Sequence, residues 1–218
     1  MPDRLSRLAP LTGILFTVLV VAGIVTGGES PDTKEPAAKI VAYYASHESE
    51  VKTSSVLFAL AFLALVLFAA SLRSYFRRTP AAEGLGALVL AGAVLSAAGA
   101  LIGSAVEIGV AGEIHNLEPQ SVKTLNFFAE EVAFLPIIGG AFLLALASGL
   151  AILRGARLPK WLGWVAIVLG IAALIPPSSF PALLGFAIWS VVVSILIYRR
   201  TGGAQKPGAD TPVVAAAG

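Results

Sequence analysis

Polar and apolar positions in this chain fall into long blocks, not into an alternation. Six apolar runs occupy residues 11–27, 54–72, 85–106, 132–153, 161–175 and 180–198. A bilayer core of about 30 Å calls for about 20 apolar residues per helix. The runs meet or approach that length, and the fifth, the shortest, stops at Pro176-Pro177. The pattern predicts an all-α, polytopic bundle of six spans within one transmembrane domain, residues 1–200. Residues 201–218 are rich in Gly, Ala and Pro and lack amphipathic periodicity, which predicts a disordered cytoplasmic tail.

Two polar connections are long, 28–53 and 107–131. In the first, Pro31 and Pro36 are helix-start punctuation. Past them Ile40, Tyr44, His47 and Val51 recur at helical spacing, with Lys39, Glu48 and Lys52 on the other side. The spacing predicts an amphipathic outer helix that starts near Pro36 and runs into the second span, with Tyr43 and Tyr44 at headgroup level. His47 falls on its apolar stripe, the setting of a packed interfacial histidine. Pro119 predicts a further short helix in the second connection.

Charge orients the bundle. With the N-terminus in the cytoplasm, eleven of the fifteen basic residues lie inside, and only Lys34, Lys39, Lys52 and Lys123 lie outside. Ten of the thirteen acids take the opposite side. The excess of Lys and Arg on inner segments gives an N-in, C-in topology. Arg4 and Arg7 ahead of the first run resemble a signal peptide. The run is longer than a typical signal core and no Ala-x-Ala pattern follows it, so it is expected to be a retained span.

Composition agrees with lipid as the solvent. Of 218 residues, 57% are hydrophobic and only 13% charged, against about 25% in soluble domains, and the mean hydropathy is +0.86. The absence of cysteine excludes disulfides and thiolate ligands. A net charge of +2, spread along the chain, gives no footprint for nucleic acid.

The third run carries small residues at four-residue spacing, Gly92, Ser96, Ala100 and Ser104, with Gly99 and Gly103 alongside. Such stripes let helix backbones approach closely in lipid. Packing inside the bundle is the expected use, and a homo-oligomer seam through the same residues is the alternative. Glu107 continues the stripe, one bilayer thickness from Leu85, so its carboxylate is expected at the outer interface facing the bundle interior. It could take a cation or a ligand amine, cap a helix contact, or pair with Lys123.

Around Glu107 the topology gathers the candidate chemistry on the outer face. Glu107, Glu113, Glu130 and Glu131, with Tyr43 and Tyr44, are candidate ligand or cation contacts. His47, His115, Glu107 and Glu118 are a candidate metal set. Histidine with carboxylate is the donor set of catalytic zinc, so zinc is the alternative, with haem held by His47 and His115 a more remote one, to the leading expectation of no cofactor. The spacing lacks a His-Glu-x-x-His pattern. Glu130 and Glu131 also suit a helix N-terminus, where the backbone dipole favours acids, and Pro136 is expected to kink the fourth span and open a cavity near them. No nucleotide-binding or serine-nucleophile motif occurs. No charge lies near the middle of any run, which argues against ion-coupled transport.

Several short motifs carry a resemblance: Thr12-Gly13-Ile14-Leu15-Phe16, Ala42-Tyr43-Tyr44 followed by His47, Leu72-Arg73, and Leu158-Pro159-Lys160-Trp161-Leu162-Gly163-Trp164. Through them the chain resembles a large set of six-helix integral membrane proteins of actinobacteria, grouped as a domain of unknown function. The resemblance covers most of residues 8–200 and implies the six-span fold and a bacterial plasma (inner) membrane, with no activity attached. Glu130-Glu131 departs from the relatives, which often carry Asn and aromatic residues there.

Taken together, the residues point to a non-enzymatic membrane protein. It is expected to bind a lipid, an apolar small molecule or a protein partner between its helices, with the outer helix as a lid. The rival classes are a metal-dependent membrane hydrolase using the outer His/Glu set, and a cation channel or transporter with an acidic outer mouth.

Overall fold

The computed structural model describes residues 9–176 and 178–202, and within them every regular element is helical. The helices are α1 (Thr12–Gly27), α2 (Ala37–Ser46), α3 (Glu48–Phe76), α4 (Glu83–Gly112), α5 (Pro119–Phe127), α6 (Phe134–Leu153), α7 (Lys160–Ala173) and α8 (Ser179–Gly202). A π-helical turn, Phe128–Val132, joins α5 to α6. The tail expected to be disordered lies outside the described residues from 203 on, as do Arg4 and Arg7.

Proline and glycine set the boundaries. Pro36 and Pro159 sit at the N-caps of α2 and α7, and Pro119 opens α5, positions where a missing N–H costs nothing. Gly28 (φ 64°) ends α1 and Gly155 (φ 108°) turns the chain after α6, both in the region that favours glycine.

Five helical stretches are long and apolar enough to cross a membrane: Ala9–Gly27, Glu48–Phe76, Pro80–Gly112, Pro119–Leu153 and Ser179–Arg200. The chain is a multi-pass membrane protein. The fifth apolar run yields α7, fourteen residues long and therefore about 21 Å, short of the hydrocarbon thickness. Pro159 before it and the Pro176 turn after it set that length.

The six helices α1, α3, α4, α6, α7 and α8 form a closed ring in that order, with α8 packed back on α1. Polar ties join the staves. Thr17 and Ser190 hydroxyls bridge α1 and α8, Ser190 donating to the Gly13 carbonyl at 3.0 Å. Trp189 Nε1 donates to the Leu162 carbonyl at 3.0 Å, and Ser96 donates to Ile137 O at 3.0 Å across α4 and α6. The core runs through the ring from Phe16 and Leu65 to Phe76 and Ile197.

The small-residue stripe of α4 faces α6. Gly92, Gly99 and Gly103 are buried, and Ser96, Ala100 and Ser104 are at most 6% exposed. A Cβ added at Gly92 would lie 2.6 Å from the Gly140 carbonyl oxygen, and one added at Gly99 would lie 2.6 Å from the Ala133 oxygen. These positions are covered within the chain itself.

The outer connection differs from the continuous helix expected there. α2 ends at Ser46, and His47 (φ −125°, ψ 30°) breaks it from α3. His47 is exposed and not packed on the apolar stripe. Its ring stacks on Tyr43 with centroids 4.9 Å apart, and Nδ1 bonds the Ser46 hydroxyl at 2.8 Å. The break lets Ile40 and Tyr44 turn down onto α5 and the end of α4, where they join Val51, Val110, Ile114 and Val122 in a second, outer core. α5, the short helix predicted after Pro119, completes this cap.

Candidate functional site

Within the ring lies an open cavity of about 340 Å³ lined by α1, α3, α4, α6, α8 and the π turn. Six phenylalanines, Phe16, Phe58, Phe62, Phe134, Phe180 and Phe186, supply much of its wall. Its polar lining is Ser96, Ser104, Glu107 and Glu130, and no Lys, Arg or His side chain among the described residues reaches it. Phe180 is 55% exposed, so this part of the wall borders the outer surface of the ring.

Glu107 reaches the cavity because helical spacing carries it inward from Gly103 and Ser104. Its Oε2 accepts a 2.5 Å hydrogen bond from Ser55 of α3. It does not pair with Lys123, whose Nζ donates instead to the Glu35 carbonyl at 2.9 Å.

Glu130 reaches the same cavity by a different device. α5, the π turn and α6 form one rod, Pro119–Leu153, so Glu130 and Glu131 stand inside a continuous helix and not at a helix N-terminus. The dipole argument for them therefore does not hold. Nor does the irregularity centre on Pro136. It takes the form of the π turn closed by Ala133 N–H to Phe128 O at 2.9 Å, ending at Val132, whose carbonyl Pro136 cannot serve as a donor four residues on. The end of the wide turn packs closely on α4 at Gly99, where an added Cβ would lie 2.6 Å from the Ala133 carbonyl oxygen, while Ala129 lies over Gly103 at ordinary contact distance. π turns often accompany functional sites, and this one places Glu130 in the cavity wall and leaves Glu131 exposed. Ser30 approaches Glu130, and Thr33 donates to Glu131 Oε1 at 3.4 Å.

Tyr44 and Asn126 form the polar floor of the cap. The buried Tyr44 hydroxyl donates to Asn126 Oδ1 at 3.0 Å. Burial pushes the Tyr44 phenol well above its usual range, and the charges of Glu107 and Glu130 add to the effect. The phenol is therefore a fixed donor. Tyr43, raised for the same reasons, donates to Gly27 O at 3.0 Å and ties α2 to the end of α1. Asn126 is fully buried, and its Nδ2 has no partner among the described residues.

The remaining candidates stand apart. Glu113, His115 and Glu118 are exposed, Glu113 accepting from Asn116 Nδ2 at 2.9 Å. Among the described residues no group of three or more His, Asp or Glu side chains is placed to hold a metal ion. The structure thus brings together Glu107, Glu130 and Tyr44 but does not gather His47, His115, Glu107 and Glu118 around one point. Ser55, Asn126 and the phenylalanines of the wall have no signal in the sequence, because each is one polar or aromatic residue in an apolar or mixed stretch. Only the fold sets Ser55 beside Glu107.

The chain matches no protein-family model, no curated protein and no solved structure.

Proposed function

We propose that this protein is a non-enzymatic membrane protein that binds a lipid or another apolar small molecule inside its helical ring. One observation carries the reading: an apolar cavity of about 340 Å³, walled by phenylalanines from several helices, with Glu107 and Glu130 in its lining. Binding sites for small molecules are concave, mainly apolar, and carry a few convergent polar groups, as here. The exposed edge at Phe180 offers a route from the bilayer.

The orientation that goes with it is N-in and C-in in a bacterial inner membrane. It rests on the basic inner segments around Arg77, Arg78, Arg154 and Arg157 and the acidic cap. Because the native chain has no cysteine, single replacements report cleanly. Ser46→Cys is expected to react with a membrane-impermeant maleimide on intact spheroplasts, and Thr79→Cys only after permeabilisation. Reversed labelling would overturn the orientation.

The binding reading is tested by native mass spectrometry of protein released gently from detergent. Wild type and Ala98→Leu, which alters an exposed site on α4, are expected to retain a lipid-sized adduct. Ala100→Leu, which fills the cavity from its wall, is expected to lower occupancy by about tenfold, equivalent to about 1.4 kcal/mol. No adduct in any of the three, or equal adduct in all, would remove the reading.

A further inference from the structure

We infer that the occupant of this cavity is a lipophilic cation, an amine or ammonium with an apolar body; the inference rests on the cavity being a binding site. The lining is asymmetric in charge: its two ionisable groups are both carboxylates, Glu107 and Glu130. Carboxylates withdrawn from water call for a compensating partner, and among the described residues no cationic side chain lines the cavity. Lys39 pairs with Glu35 at 2.7 Å, Lys52 with Glu48 at 2.5 Å, and Lys123 bonds the Glu35 carbonyl. Among the described residues neither Glu107 nor Glu130 takes part in a salt bridge. The Ser55 hydroxyl reaches only one oxygen of Glu107.

Two features decide which cation fits. Hard metal ions demand six or more oxygen ligands or several retained waters, and the phenylalanine wall offers neither. An organic ammonium satisfies both halves of the site: its charge meets the carboxylates, its body fills the apolar volume, and aromatic faces attract cations. An anionic amphiphile would place like charge against Glu107 and Glu130, so a fatty acid is disfavoured by the same geometry.

Probes that share one apolar body test this: 1-adamantylammonium, 1-adamantanol and 1-adamantanecarboxylate, titrated into protein in nanodiscs of neutral lipid and followed by tryptophan fluorescence and thermal stability. The ammonium is expected to bind wild type about tenfold tighter than the alcohol, and the carboxylate weakest. Glu107→Gln with Glu130→Gln should bring the ammonium to the level of the alcohol and leave the alcohol unchanged. The wild-type series alone decides the inference if that double variant fails to fold. Ammonium and alcohol binding equally, with loss of both in Ala100→Leu, would overturn charge selection while leaving the cavity a binding site. No probe binding wild type, or binding insensitive to Ala100→Leu, would overturn the cavity reading and this inference together.

Discussion

Gly140→Ala is expected to destabilise the protein by about 3 kcal/mol, the upper end of overpacking costs, whereas Gly139→Ala on the adjacent position is expected to be neutral or to stabilise by up to about 1 kcal/mol through helix propensity. The contrast comes from one helical step. A Cβ at Gly140 would lie 2.4 Å from both the Gly92 carbonyl oxygen and Ser96 Oγ, and 2.5 Å from Ser96 N. Most of that obstruction is backbone, which no rotamer change relieves. At Gly139 nothing lies within 4 Å. Because α4 and α6 are held this closely, the damage should reach the π turn and the cavity as well. Reversible unfolding in mixed detergent micelles measures both variants. Equal stability of the two would show that the α4–α6 crossing is looser than the geometry described.

The second large effect is expected at the cap. Tyr44→Phe removes the donor to Asn126 Oδ1 and leaves a fully buried amide without a side-chain partner. A buried polar group stripped of its partner costs about 1–3 kcal/mol. Adding Asn126→Leu to Tyr44→Phe should recover most of that loss, since removing both polar partners is far less costly than orphaning one. The four-member cycle gives the coupling directly, and hydrogen exchange of α2 and α5 locates it. If Tyr44→Phe is harmless, the cap is held by its apolar contacts alone and its polar floor contributes nothing to stability.

The two carboxylates of the cavity arrive by unequal routes, and this governs what sequence could reveal. Glu107 was legible because a helix of constant pitch extends the stripe of Gly103 and Ser104 by three and four positions. Glu130 stands among the candidates beside Glu131, but which of the two faces the cavity was not legible, because the π turn changes the pitch just where the side chain must be aimed. The end of that turn lies against Gly99, which leaves room for the Ala133 carbonyl. The same stripe that reads as a generic packing motif is thus also the seat of the irregular turn. His47 makes the parallel point: its spacing put it on an apolar face, but the chain breaks there and the ring stays exposed on Tyr43.

What the sequence determined by itself is the material of the fold: an all-helical chain too apolar for water, the approximate ends of its long helices, and the gathering of acids in the two long connections. These follow from composition and period, which are local properties of the chain. Tertiary structure alone decided the ring order with α8 closed on α1, the folding of α2 onto α5 after the break at His47, and the meeting of Ser55 with Glu107 and of Tyr44 with Asn126. The physical reason is distance in sequence. Ser55 and Glu107 are 52 residues apart, and Tyr44 and Asn126 are 82, so their meeting depends on how whole helices pack, which no window of the chain encodes.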